Sequence, residues 1–256
     1  MTQRVRKYLR PILKHLVVAI EGGPNKGLLV SRACGPGYQQ GTYEGARWVP
    51  LSQMIETGDV FWDVGAHYGY VALFAHRAVG DAGRVYAFEP SRRNRSFLAR
   101  HVRANRPSNV EVLPYALSDF VGTSNFGGGT GSGTRRLGAG HGRVPVQTVD
   151  VLVASGTCLP PTWIKLDVEG GEVAILRGAE SVLRGQPVAA LVETHSAELH
   201  AECLQILEGY GYTCHVPTQA HDVAPHDVRA EILALGPGRS VPEGPLAAFL
   251  ASPIRS

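Results

Sequence analysis

The stretch FWDVGAHYGY (residues 61–70) carries an apolar run, then Asp63, then two glycines four apart, Gly65 and Gly69. Apolar residues at helical spacing follow in VALFAHRAV. A strand-to-helix turn of this composition binds through its backbone. Glycine removes the side chain so that a ligand can approach, and the helix N-terminus presents free N–H groups. A second strand pattern, RVYAFE, ends in Glu89, 24 residues after Gly65. A carboxylate there can accept hydrogen bonds from both hydroxyls of a ribose. Together they imply adenosine, although a ligand-free tight turn would carry the same glycines. Dinucleotides and S-adenosylmethionine share the arrangement, but these glycines read DxGxxxG, not the GxGxxG that draws a pyrophosphate to the turn. Asp63 adds a negative charge, which disfavours phosphates and suits an ammonium or a sulfonium.

Two later strand ends carry groups that can move protons. KLDVEG supplies Asp167 and Glu169, and VETH supplies Glu193 and His195. If the two strands are neighbours, these four groups meet around one cleft. His195 is suited to a general base because an ordinary imidazole titrates near working pH. Asp167 and Glu193 could instead hold Mg²⁺ through oxygen ligands, leaving positions open for a diol. Plainer readings stand beside these. His195 could be a structural hydrogen-bonder, Lys165 an ion-pair partner, and Glu172 a carboxylate complementing the dipole of the helix it opens. Asp167 is harder to dismiss, since a charge ending a buried strand needs a partner.

The elements that must position these groups alternate. Strand patterns VFWDVG, GRVYAFEP, NVEVLPYAL, VPVQTVDVLV, TWIKLD, VAALVET, GYTCHV and RAEILALG are separated by helical ones. The latter include YVALFAHRAVG, RRNRSFLARHVRAN, GEVAILRGAESVLRG and SAELHAECLQILEGYG. This alternation predicts an α/β fold, a mostly parallel sheet with helices on both faces. Residues 1–50 are expected to form an amphipathic N-terminal helix and a turn-rich Gly/Pro/Tyr cap, with the main domain over 51–256. Glycine is dense enough in residues 127–143 to predict a flexible loop, either an insertion between strands or a lid.

The 256-residue chain is globular in composition, 44% hydrophobic and 18% charged, and its net charge of +3 is too mild to demand nucleic acid. The arginines of SRRNRSFLARHVR lack interleaved aromatic platforms and read as a solvated helix face. Cys34, Cys158, Cys203 and Cys214 form no CxxC, which argues against structural zinc and for reduced thiols in a cytoplasmic protein. The basic N-terminus has an apolar run interrupted by Lys14 and His15, too short to span a bilayer.

Read in order, YEG, DVGAHYGY, AFEP, LPYALSD, QTVDVL, WIKLDVEGGEVAILRGAESVL and LVETH resemble the FkbM family of S-adenosylmethionine-dependent methyltransferases over roughly residues 40–215. The resemblance implies a class I methyltransferase fold: a Rossmann-like seven-strand sheet whose last strand is antiparallel. It implies O-methyl transfer to a hydroxyl of a sugar or other small natural product. By resemblance, Asp63, Gly65 and Gly69 line the methionine end of the cofactor and Glu89 binds the ribose. Ala116, Leu117, Ser118 and Asp119 edge the adenine, and Glu44 and Asp167 lie near the cofactor. His67 stands where the family commonly has asparagine, so its contact with the cofactor is an open expectation. His195, Asp167 and Glu169 are the candidate catalytic groups, with Asp167 and Glu193 as a candidate Mg²⁺ pair. Tyr38, Tyr43, Tyr68 and the glycine-rich loop are expected on the acceptor side. The expected partner is a hydroxylated small molecule, with no nucleic acid and no integral membrane segment; a homodimer is compatible. Two rival readings are an NAD-dependent oxidoreductase and a non-catalytic adenosyl-binding module.

Overall fold

A computed structural model describes residues 16–129, 131, 133–215 and 230–241. Strands β1 (Val17–Ala19) and β2 (Leu29–Ser31) pair as an antiparallel hairpin. Short helices α1 (Pro36–Gln40) and α2 (Gly45–Leu51) then lead into β3 (Val60–Val64), α3 (Tyr70–Val79) and β4 (Arg84–Phe88). The next elements are α4 (Arg92–Asn105), β5 (Val110–Leu113), β6 (Ala116–Leu117), β7 (Gly122–Gly127), β8 (Arg136–Leu137) and β9 (Gly142–Gln147). After α5 (Val149–Ala154) come β10 (Trp163–Leu166), α6 (Glu172–Arg177), α7 (Glu180–Gly185) and β11 (Ala189–Thr194). The described chain closes with α8 (Ala197–Gly209), β12 (Thr213–His215) and β13 (Ala230–Leu235).

Seven strands form the main sheet in the order β12-β13-β11-β10-β3-β4-β5. The pairings from β11 through β10, β3 and β4 to β5 are parallel, while β13 runs antiparallel to β11 and β12. This is the class I methyltransferase architecture expected from the sequence. Period-two alternation splits the strand residues between two cores. Trp62, Val64, Phe88 and Leu166 pack with Ile175, Leu183 and Leu207 from α6, α7 and α8. Phe61, Val85 and Trp163 face Val71, Phe74 and Val79 of α3 on the other side. Full burial of side chains this size is worth about 1.5–3 kcal/mol each. That explains why the pattern overrides weak local preferences.

Several expectations are corrected. Val17–Ala19 is a strand, so the N-terminal helix does not extend over the end of that segment; residues 1–15 lie outside the described residues. Residues 127–143 are not one structureless loop. They complete β7, contain β8 and begin β9, within a four-stranded sheet ordered β6-β9-β7-β8. NVEVLPYAL divides between the two sheets at Pro114, which has no N–H for a ladder. TVDVLV is the helix α5, because the Thr148 side chain accepts from the Val151 N–H and caps it. GEVAILRGAESVLRG is two helices, broken where Gly178 meets the Ser118 carbonyl; a Cβ there would stand 2.1 Å from that oxygen. All four cysteines are free, and three are buried. Among the described residues, no helix is long and apolar enough to cross a membrane.

Candidate active site

The central strand β3 lies between β4 and β10, so the connectivity turns back at the carboxyl ends of β3 and β10. A parallel sheet opens a crevice at such a point. Register places Lys165 beside Asp63 and Leu191, and Asp63 beside Ala87. Counting on by twos puts Glu89, Asp167 and Glu193 on that same face at the strand ends. Gly65, at φ +83°, lets the two central turns touch; a Cβ would come within 1.9 Å of the Asp167 carbonyl oxygen. Gly69, at φ +87°, opens α3 against Leu98, whose Cδ1 a Cβ would approach to 2.2 Å.

Lys165 is the hub of this edge. Its ammonium lies 3.2 Å from Asp167 Oδ2 and 3.5 Å from Asp63 Oδ1, and it donates to the Gly65 carbonyl at 3.4 Å. Burial alone would lower its pKa, but Asp167, Asp63, Glu44 and Glu193 hold it well above the usual lysine range. Burial raises the carboxyl of Asp63 despite Lys165. Burial acts the same way on Asp167, but Lys165 and His195 outweigh it and keep that group ionised.

Glu44 is held by the indole N–H of Trp48, which donates to it at 3.2 Å. Both Glu44 (φ 52°) and His67 (φ 50°) sit in the left-handed region. Asparagine and histidine are both enriched there, so His67 suits the turn position where the sequence resemblance led us to expect asparagine. Its ring stacks on Tyr68 at 3.8 Å between centroids, and its Nδ1 lies 3.2 Å from the Tyr38 hydroxyl. Burial and the Lys165 charge push its pKa down to about 4, so it is neutral at working pH. Tyr43 packs against Tyr38 in a tilted arrangement, 4.5 Å between centroids. His101, fully buried, braces the turn: Nδ1 lies 2.7 Å from the Tyr68 carbonyl, while Nε2 accepts from the Ser31 N–H.

Glu89 is buried past the end of β4 and accepts from the Ser91 N–H at 2.8 Å; burial lifts its pKa to about 7. Ala116 and Leu117 pair with β9, Ser118 is buried, and Asp119 is exposed with its carboxylate 3.2 Å from the Ser118 hydroxyl. They follow β5, the neighbour of β4.

His195 lies within a nest of acids. Its Nε2 is 3.5 Å from Asp167 Oδ1 and 3.7 Å from Glu172 Oε1, and its Nδ1 is 3.8 Å from Glu169 Oε2. Burial would lower its pKa, but Asp167, Glu172 and Glu169 raise it above 6.5. This corrects the expectation of an unperturbed imidazole: its neutral, proton-accepting form emerges at higher pH. Glu172 is also more than a dipole partner. It is fully buried, and its Oε1 accepts from the N–H groups of Val168 and Gly170, shaping the loop that presents Asp167 and Glu169.

Asp167, Glu193 and His195 each offer a ligand atom within 4.8 Å of the others. The residues nevertheless fit Mg²⁺ poorly. That ion favours an oxygen shell, one donor here is imidazole, and the Lys165 ammonium already neutralises Asp167. A cationic sulfonium fits better, as it needs negative potential and no fixed ligand geometry.

A model of the methyltransferase FkbM domain matches residues 63–214. The chain belongs to this family. It is 31% identical over 150 residues to the hexuronic acid methyltransferase AglP of Haloferax volcanii, covering 57% of this chain and 60% of that protein. The chain therefore spans less than two thirds of that curated relative's length. The FkbM methyltransferase structure from Methylobacillus flagellatus KT matches 70% of this chain and 44% of its own, at 18% identity and TM-score 0.50. A putative rRNA methylase from Clostridium thermocellum matches 75% and 93%, at 10% identity and TM-score 0.50. At these identities the likeness extends to the fold. Membership decides against the dehydrogenase reading.

For this FkbM domain, the structure brings Glu44, Asp63, Gly65, His67, Asp167, Glu169, Glu193 and His195 around Lys165 or its neighbouring acids. Sequence reasoning undervalued Glu172, whereas its reading of Lys165 as an ion-pair partner holds. A lysine inside the apolar run WIKL was the available signal, since burying such a charge demands partners.

Proposed function

We propose that this chain is an S-adenosylmethionine-dependent O-methyltransferase acting on a hydroxyl of a sugar or related small natural product. The observation that carries the reading is the acidic crevice at the carboxyl ends of β3, β10 and β11, walled by the Gly65 turn. Bound there, S-adenosylmethionine supplies a methyl group on a cationic sulfur. Asp63 and Glu44 contribute the negative potential that attracts this charge, and Gly65 and Gly69 let the turn close against Asp167 and Leu98, which shapes the wall for the amino-acid end. Glu89 receives the ribose hydroxyls, and residues 116–119 edge the adenine.

The acceptor oxygen attacks the methyl carbon in line, the O–C bond forms as S–C breaks, and S-adenosylhomocysteine leaves. The hydroxyl proton passes to neutral His195. Asp167 and Glu169 orient the ring and stabilise the imidazolium. Alignment can contribute roughly 7–11 kcal/mol, and a positioned base about 10²–10⁴-fold. The Tyr38, Tyr43 and Tyr68 rings supply an apolar wall for the acceptor. The hexuronic acid named for the relative makes sugar hydroxyls the first acceptors to test.

Calorimetry with S-adenosylmethionine should show binding, and methyl transfer should appear on a hydroxylated panel that includes uronic acids. His195→Ala should cut turnover about 10²–10⁴-fold with little change in cofactor affinity. Wild-type turnover should climb with pH through a value above 6.5, the direction in which His195 is shifted, even with a chelator present. Unchanged turnover in the variant would remove His195 from the mechanism. Cofactor binding without turnover of any acceptor would leave a binding module.

A further inference from the structure

A second cleft opens beside Glu89, over the carboxyl ends of β4 and β5. Its volume is about 690 Å³, within the usual range for small-molecule sites. Among the described residues, five arginines line it: Arg92, Arg93 and Arg95 from the first turn of α4, Arg135 just before β8, and Arg143 of β9. None of the described residues that line it is acidic. The arginine run keeps the solvent side of its helix, as the sequence led us to expect, and Arg135 and Arg143 come to lie beside its first turn.

Placing these arginines here works against local stability. A helix N-terminus carries partial positive charge and favours acids, yet the first turn of α4 has none. Such a violation of a local rule marks a site whose charge has another use. The cleft is also pre-shaped. Arg135 Nη1 donates to the Ser91 hydroxyl at 2.9 Å, and Ser91 in turn caps α4. Arg95 donates to the carbonyls of Glu89 (2.9 Å) and Pro90 (3.0 Å), which fixes its stem beside the strand end. Arg92, Arg93 and Arg143 are exposed. Among the described lining residues Phe126 is the only aromatic one, so they offer no run of aromatic platforms for stacked bases.

We propose that this cleft is an anion-binding subsite that takes a carboxylate- or phosphate-bearing part of a saccharide acceptor. Arginine forks match either anion bidentately. Ser91 joins the cleft to Glu89, so the acceptor's charged end would lie along the adenosine side of the cofactor. Its role as an acceptor subsite rests on the proposed methyl transfer, whereas the binding of an anion does not.

The experiment is calorimetry on the full chain without cofactor, using trigalacturonate, glucose 1-phosphate and neutral maltotriose, with S-adenosylmethionine titrated separately. Either anion should bind and weaken with salt, and maltotriose should not bind. The tighter of the two anions identifies the source of the charge. Arg93→Gln/Arg143→Gln should weaken anion binding by about tenfold or more, with cofactor binding and the melting temperature held. Equal binding of maltotriose, or unchanged anion affinity in the double variant, would overturn the proposal. So would tighter binding of a short RNA than of trigalacturonate, which would assign the cleft to nucleic acid. Loss of S-adenosylmethionine binding alone would sink the proposed function and leave the anion site standing.

Discussion

The carboxyl edge of the sheet is divided by charge. Over β3, β10 and β11 it is acidic and largely buried, with Glu44, Asp63, Asp167, Glu169, Glu172 and Glu193 around Lys165 and His195. Over β4 and β5 it is basic and mostly exposed, with five arginines around a cleft. Buried charges must be mutually satisfied, so the acidic half is also part of the fold's own stability. Exposed charges are held to no such condition, so the basic half is free to serve a ligand. Under the proposed function, this division would sort a cationic donor from an anionic acceptor before any contact is made.

The largest test of this contrast is Lys165→Met. The ammonium is 4% exposed and its partner Asp63 is 0% exposed, so the variant strands ionised groups in the interior. Urea denaturation at neutral pH should show a loss of about 3–5 kcal/mol, partly recovered at low pH as the carboxyls protonate. Arg93→Gln in the basic half should stay within about 0.5 kcal/mol of wild type. Equal losses in the two halves would erase the distinction.

The acidic half was more legible in the sequence than the basic half, for a physical reason. Strand residues alternate, so Asp63, Glu89, Lys165 and Glu193 could be assigned to one face once the strands were recognised and shown to be neighbours. The arginine cleft depends on Arg135 and Arg143 reaching Ser91 and its helix across more than forty residues of turn-rich chain. No local period encodes that approach. The break at Gly178 is similar: the apolar pattern runs straight through it, and only the Ser118 carbonyl packed against it requires glycine. The Tyr38–His67 contact likewise joins a Gly/Pro-rich segment to the central turn, and neither segment alone announces it. The turn residues themselves were readable because positive φ selects few residue types.

Glu89 stands at the boundary between the halves and gives the intermediate test. Its folded pKa is raised from 4.5 to about 7 by burial, while a ribose is best received by the ionised form. Cofactor affinity should therefore be flat above about pH 7 and fall up to about tenfold per unit below it. Glu89→Gln should weaken binding and flatten the profile. The same shift has a consequence for the cofactor-free protein. Between about 4.5 and about 7 the folded chain keeps a proton that the unfolded chain releases, so this group lowers stability as pH rises. A wild-type affinity that does not respond to pH in this window would count against Glu89 as the ribose ligand.

The smallest effect asks whether the basic half really trades stability for charge. Arg92 and Arg93 occupy the first turn of α4, where the macrodipole favours acids. Replacing Arg93 with Glu should raise stability by about 0.3–1 kcal/mol at low salt, and the gain should shrink as salt screens it. The same substitution should abolish most anion binding in the cleft. A variant that is more stable and binds less separates ligand recognition from fold maintenance at a single position. If Arg93→Glu destabilised the protein instead, its guanidinium would be supporting the cleft wall. The contrast with Lys165 would then be one of degree, because both halves of the edge would hold their charges for structural reasons.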